Sequence, residues 1–195
     1  ANGGEYIEPS YYTQIYDHDG NLILDNSQKE RHTVISPQTA FLLTEAMQDV
    51  MTSGTGKKAY FGSTMPQAGK TGTTTASRDS LFAGYTPYYT CAVWGGYDDN
   101  SKQKSSTTTY CRNIWRAAMS RIHKDLPYKD FTRPSKITTA VVCKDSGLVP
   151  LDGICSTCIK GNSVYTEYFT LGTTPVSTCN HHIKLDICSV TGQLA

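Results

Sequence analysis

Apolar and polar positions follow two different periods along this chain. Helical spacing appears twice. The first stretch opens at Ser36-Pro37, where a serine hydroxyl can accept the first free N–H groups and proline suits the first helical position. Ala40, Leu43, Met47, Val50 and Met51 then recur at three- and four-residue steps and predict an apolar helix face. Gly54 is placed to close that helix in the left-handed conformation. The second stretch covers 109–123, with Tyr110, Ile114, Ala118 and Ile122 on one face and Trp115 beside them. Between the two helices the period shortens to two. Residues 67–74, 80–86 and 89–95 read as three strands joined by short turns, a local antiparallel meander with Thr86-Pro87 as a tight connection.

Ahead of the first helix, β-prone residues 11–16 and 22–24 flank Asp17-His18-Asp19-Gly20-Asn21, a hairpin signal with His18 as a solvated turn residue. Asn2-Gly3-Gly4 reads as a turn. After the second helix, Pro127, Pro134 and several charges mark residues 126–136 as a linker. Beyond it the composition shifts to Cys, Thr, Gly and short β-prone runs. The expected organisation is a unit over 1–125, the linker, and a Cys-rich tail over 137–195. The expected class is α+β, an antiparallel sheet packed with helices and followed by a small β tail. At about 60 residues such a tail needs cross-links or a metal to hold a fold alone.

Composition narrows the functions. The 195 residues carry 18 basic and 17 acidic side chains, a net charge of +1. That balance gives no reason to expect nucleic acid or an anionic membrane surface as partner. No apolar run approaches the roughly 18 residues of a membrane span, and no secretory signal precedes Ala1. An anchor or export signal is expected upstream.

The chemical signal lies in Ala68-Gly69-Lys70-Thr71-Gly72-Thr73-Thr74. A phosphate-binding loop would need a glycine where Thr64 stands, and a helix directly after Lys70-Thr71. Neither is present. The alternative is the K-T-G box of serine penicillin-binding proteins and β-lactamases. Its context here is a strand beside Phe82-Ala83-Gly84-Tyr85-Thr86-Pro87, then Val93-Trp94-Gly95-Gly96-Tyr97-Asp98-Asp99, then an amphipathic helix. This order resembles the transpeptidase domain of class A penicillin-binding proteins over nearly the whole chain, Cys-rich tail included. Leu81 departs from it, because the family usually has tryptophan there.

That resemblance implies peptidoglycan D,D-transpeptidation with covalent trapping by β-lactams, and no cofactor. Lys70 would supply fixed positive charge for the substrate carboxylate and for moving protons. Thr71 and Thr73 would add hydroxyls. Gly72 would leave room for substrate to pair with the strand edge, and the Thr73 N–H would be an oxyanion donor. Lys70 and Thr73 are the expected catalytic pair, and Lys70, Thr71, Gly72 and Thr73 the expected substrate contacts. The partners implied are stem peptides and β-lactams, with cell-wall assembly proteins beside them and a membrane anchor and glycosyltransferase domain upstream. The expected location is the extracytoplasmic face of the bacterial membrane. Alternatives are a D,D-carboxypeptidase or β-lactamase-related hydrolase, and a non-catalytic cell-wall-binding module.

A serine acyl-enzyme also needs S-x-x-K and S-x-N. No S-x-N occurs, and the only S-x-x-K, Ser101-Lys102-Gln103-Lys104, lies in a polar run. The expectation is an incomplete, inactive part of an enzyme.

Five of the seven cysteines lie after residue 140. Cys155-x-x-Cys158 and Cys179-x-x-His182 approach zinc-site spacing. Val142-Cys143-Lys144-Asp145-Ser146-Gly147 also matches Ile187-Cys188-Ser189-Val190-Thr191-Gly192 as a repeat. In an extracytoplasmic protein disulfides come first and zinc second, so no metal ligand is assigned. Free thiols fit an anaerobic host. A Cys143–Cys155 bridge would leave Cys188 as the orphan of a truncated repeat, prone to intermolecular dimers.

Overall fold

The computed structural model describes every residue except 63, 105–108, 186, 187, 189, 190 and 192–195. Most of the second repeat copy, around Cys188, therefore lies outside the described residues. The chain forms two compact units, Ala1–Pro134 and Ser135–Ala195.

In the first unit, strands β1 (Glu5–Ile7), β2 (Gln14–Tyr16), β3 (Leu22–Asp25) and β4 (Arg31–Thr33) form two small antiparallel ladders, β1 with β4 and β2 with β3. The β2–β3 hairpin turns where the Asp-Gly signal predicted. Asp17 holds it, its Oδ1 accepting the N–H groups of Asp19 at 2.9 Å and Asn21 at 2.8 Å. These bonds, led by the Asn21 side chain, hold the Asp17 carboxyl below its usual pKa. Helix α1 (Pro37–Thr52) follows, with Ser36 Oγ accepting the Thr39 N–H at 3.1 Å as N-cap.

The main sheet is the predicted meander, β5 (Ala68–Thr73), β6 (Ser80–Tyr85) and β7 (Thr90–Gly95), antiparallel in the order β5-β6-β7. Helix α2 (Tyr110–Ile122) ends the run. The core joins sheet and helices through Met51, Phe82, Cys111, Trp115 and Met119, with Ala59 between them. Phe82 and Trp115 meet edge to face at 5.1 Å. Trp115 Nε1 donates to the Cys91 carbonyl at 3.1 Å, so the indole is buried without an orphan donor. Two cross-strand glycines make room for these rings. A Cβ on Gly69 would lie 2.8 Å from Phe82, and one on Gly84 2.9 Å from Trp115.

Three local expectations need correction. The buried stripe of α2 is Cys111, Trp115 and Met119, while Ile114 is 51% and Ile122 49% exposed. Two apolar stripes run side by side on this helix, and the space over Gly84 admits the one carrying Trp115. On α1 the buried residues are Phe41, Thr44 and Met51, and Leu43 points outward. Thr44 is tolerated inside because its hydroxyl meets the Ala40 carbonyl at 2.9 Å and the Tyr85 hydroxyl at 2.8 Å. Gly54 does not adopt a positive φ. It is needed for close approach instead, since a Cβ there would sit 2.8 Å from Val50 Cα.

After α2 the chain stays against this unit. His123 is buried, its Nδ1 donating to the Met119 carbonyl and its Nε2 accepting from Thr86 Oγ1, each at 2.7 Å. The Pro127 carbonyl accepts from the Tyr88 hydroxyl at 3.2 Å, and Phe131 stacks edge-on with Tyr85.

The second unit is built on β8 (Ile137–Cys143) and β9 (Val164–Thr170), paired antiparallel over their full length. Val149 and Thr178 form an isolated parallel bridge. The buried centre is Cys143, Cys155 and Cys179, flanked by Leu151 and Val164.

Candidate active site

Strand β5 is an edge strand, hydrogen-bonded to β6 on one side only among the described residues. Its register sets Lys70 against Ala83, Thr71 against Phe82, Gly72 against Leu81 and Thr73 against Ser80. Side chains alternate between sheet faces. Gly69 and Thr71 therefore share the face of Phe82, which the helices cover. Thr71 Oγ1 meets Thr55 Oγ1 at 3.0 Å there. Lys70 and Gly72 share the opposite face with Leu81 and Trp94, which are 36% and 57% exposed. The four residues singled out in sequence thus occupy one exposed strand edge, with the lysine on the open face.

The backbone of that edge can be followed residue by residue. The Thr74 N–H donates to the Asp79 carbonyl at 3.3 Å, toward the β6 side. Backbone groups alternate in direction along an antiparallel pair, so Thr73 turns its N–H and C=O to the unpaired edge, and Thr71 does the same. The Lys70 ammonium agrees with this, donating to the Thr71 carbonyl at 3.1 Å and approaching Thr71 Oγ1 at 3.4 Å. An extended substrate backbone could therefore add to β5 by pairing with Thr71 and Thr73. Gly72 has a second role besides clearance. A Cβ there would be 3.2 Å from Leu81 Cβ, so the glycine also fits the leucine that stands where tryptophan is usual.

The end of β5 is held by residues that the sequence reading passed over. Thr74 Oγ1 accepts the Asp79 N–H at 2.8 Å and donates to Asp79 Oδ2 at 2.9 Å. Trp94 Nε1 donates to Asp79 Oδ1 at 3.2 Å. Gln103, buried in a polar run, donates to the carbonyls of Arg78 and Gly95 at 2.8 and 2.7 Å. Asp79 carries a turn signal, whereas Gln103 carries none. Ser101 and Lys104 lie in irregular chain, not on a helix. A groove of about 360 Å³ bounded by Phe41, Thr44, Pro87 and Phe131 does not include the Lys70 strand.

In the tail unit the ligand-type atoms of Cys143, Cys155, Cys179 and His182 all lie within 4.8 Å of one another. His182 Nδ1 is 3.4 Å from both Cys143 Sγ and Cys179 Sγ. Its Nε2 is 3.3 Å from Asp145 Oδ2, which accepts from Ser163 Oγ at 2.6 Å. The Ser146 hydroxyl is the largest cause holding the Cys179 thiol down, to about 5, against burial. Burial pushes Cys155 up to about 11. Contact with Cys179 lifts His182 to about 9. No disulfide joins any of the seven cysteines.

Comparison with known proteins gives a consistent picture. The family described as "Penicillin binding protein transpeptidase domain" matches residues 1–119, and "Penicillin-binding protein 1A, C-terminal domain" matches residues 133–184. Penicillin-binding protein 1A of Clostridium perfringens is 41% identical over 96% of this chain and 22% of the relative. Penicillin-binding protein 1A/1B of Bacillus subtilis is 32% identical over 90% of this chain and 20% of the relative. The chain thus spans about a fifth of the length of the curated relatives it matches. Among solved structures, penicillin-binding protein 1A from Haemophilus influenzae aligns with a TM-score of 0.77 at 23% identity, over 91% of this chain and 31% of that one. This supports the α+β fold. PonA1 from Mycobacterium tuberculosis aligns with a TM-score of 0.59 at 26% identity, over 68% of this chain and 38% of that one.

Proposed function

The chain belongs to the penicillin-binding protein transpeptidase family, and from that premise we propose that β5 forms one wall of the acyl-transfer site of a serine-type peptidoglycan D,D-transpeptidase. The observation that carries this reading is the unpaired edge of β5, with the Thr71 and Thr73 backbone groups facing outward and Lys70 beside them.

A stem peptide ending in D-Ala-D-Ala lies along that edge as an added strand. Lys70 holds its terminal carboxylate by charge. The Thr73 N–H points to where the attacked carbonyl oxygen becomes negative, and one such preorganised donor contributes about 3 kcal/mol to the transition state. Thr71 and Thr73 hydroxyls add donors along the strand, and Gly72 keeps the approach open. The Thr74–Asp79–Trp94 and Gln103 contacts position the strand end, so that the donor is fixed before substrate arrives. β-Lactams, which present a strained carbonyl and a carboxylate, are held by the same groups, and the serine of the full-length protein attacks that carbonyl to trap them.

The nucleophilic serine is not among these residues, because the one S-x-x-K spacing sits in irregular chain with no S-x-N to complete it. It belongs to the full-length protein, whose other parts include a membrane anchor and glycosyltransferase domain and which works outside the cytoplasmic membrane with cell-wall assembly proteins. No helix of this structure, among the described residues, is long and apolar enough to cross a membrane. Incubating the 195-residue chain with fluorescent penicillin, then denaturing electrophoresis, should give no labelled band. A stable adduct on Ser101 would overturn the assignment.

A further inference from the structure

We propose that Cys143, Cys155, Cys179 and His182 bind one zinc ion in a closed, tetrahedral Cys₃His site that holds the tail unit together. The tail supplies all four ligands, so the inference does not depend on the transpeptidase reading.

The distances suit the metal. With Zn–S near 2.3 Å and Zn–N near 2.1 Å, a regular tetrahedron has ligand-to-ligand edges of about 3.5–3.8 Å. The two contacts from His182 Nδ1 to Cys143 and Cys179 are 3.4 Å, and the whole set fits within 4.8 Å. The surrounding groups suit it as well. Metal-bound histidines almost always donate their other ring N–H to a carboxylate or carbonyl, which fixes the tautomer. His182 Nε2 faces Asp145 Oδ2 at 3.3 Å, leaving the Nδ1 lone pair to the sulfurs, and Ser163 fixes Asp145 in turn. Backbone N–H groups reach two of the sulfurs, Leu151 to Cys155 at 3.2 Å and His181 to Cys179 at 3.4 Å. Such donors favour thiolate, the form that binds metal.

Two simpler explanations account for less. Buried thiols often serve as small apolar core residues, which would explain three cysteines but not an imidazole nitrogen aimed among them. A Cys143–Cys155 disulfide would use two sulfurs and leave Cys179 and His182 Nδ1 converging on nothing. The ligand set also differs from the sequence spacing. Cys143, from the end of β8, takes the place that the C-x-x-C pattern offered to Cys158, which is only half-buried. All four positions come from protein, so the site is structural and has no open position for catalysis.

The test uses the 195-residue chain purified under reducing conditions. Elemental analysis should find one zinc per chain. Cobalt(II) exchanged into it should give the visible d–d bands of a tetrahedral site with thiolate charge transfer. Cys143→Ser, Cys179→Ser or His182→Ala should abolish both signals, while Cys158→Ser and Cys188→Ser keep them. Asp145→Asn retains every ligand and should weaken zinc about 10- to 100-fold in competition with a chromophoric chelator. Its affinity can be read even where the ligand variants do not fold. Reduced wild-type chain without zinc, a Cys143–Cys155 disulfide in the air-exposed chain, loss of metal in Cys158→Ser, or unchanged affinity in Asp145→Asn would each overturn the assignment.

Discussion

In the unit Ala1–Pro134 the buried centre is built on large side chains, with Phe82, Trp115, Met51 and Met119 packed between a sheet and two helices and Cys111 as a small filler among them. In the unit Ser135–Ala195 it is a cluster of thiols, with Cys143, Cys155 and Cys179 at the centre and, among the described residues, the partly buried Leu151 and Val164 packed on them. The difference follows from size. A sheet with two helices over it closes a core by burial alone, whereas two paired strands and their loops bury too little apolar area for that. The first unit can therefore leave one edge and one face of its sheet exposed. The second concentrates its special residues inside.

Substitutions in the two units test this difference. The largest effect is expected from Phe82→Ala, which empties the space between sheet and helices. It should destabilise the first unit by about 3–5 kcal/mol in urea unfolding followed by tryptophan fluorescence. The reactivity of the tail thiols should not change with it, and a parallel rise in thiol reactivity would mean that the two cores are one cooperative system. Next comes a pair of glycines on opposite faces of the sheet. Gly84→Ala pushes a methyl against Trp115 and the Ala68 carbonyl and should cost about 1–3 kcal/mol by overpacking. Gly72→Ala first meets the partly exposed Leu81, at 3.2 Å, and should cost less than about 1.5 kcal/mol while impairing acylation of the full-length protein. Equal stability losses would contradict the assignment of a packed and an open face. The smallest effect is Ser36→Ala, which removes the α1 cap and should cost about 1 kcal/mol in the same unfolding measurement.

Much of this was legible in the chain, and the misses have physical causes. The meander was readable because its three strands alternate and their turns are short, so local pattern and pairing agree. The cap at Ser36-Pro37 was readable because capping is a property of neighbouring residues. The inward face of α2 was not, since two adjacent apolar stripes satisfy the same period and only the space over Gly84 chooses Trp115. Thr44 and Gln103 were also hidden, because a buried polar residue is explained by partners distant in sequence, here Tyr85 for one and Arg78 and Gly95 for the other. At the candidate site, the K-T-G box marked the strand, but the outward turn of the Thr73 backbone needed the Thr74–Asp79 hydrogen bond. In the tail the C-x-x-C and C-x-x-H spacings drew attention to a cluster, yet Cys143 enters it through β8 pairing that no short motif encodes.

Lys70 and the unpaired edge of β5 are proposed to belong to an acyl-transfer site, and removal of the lysine tests this directly. Lys70 is exposed, so its removal should leave folding intact and act on chemistry alone. In the full-length protein, the rate of acylation by fluorescent penicillin should fall about a hundredfold or more in Lys70→Ala, the scale expected for losing a preorganised charge at the reacting centre, and stay near wild type in Lys104→Ala. Acylation of Lys70→Ala at the wild-type rate, or equal losses in the two variants, would mean that β5 is not part of the acyl-transfer site.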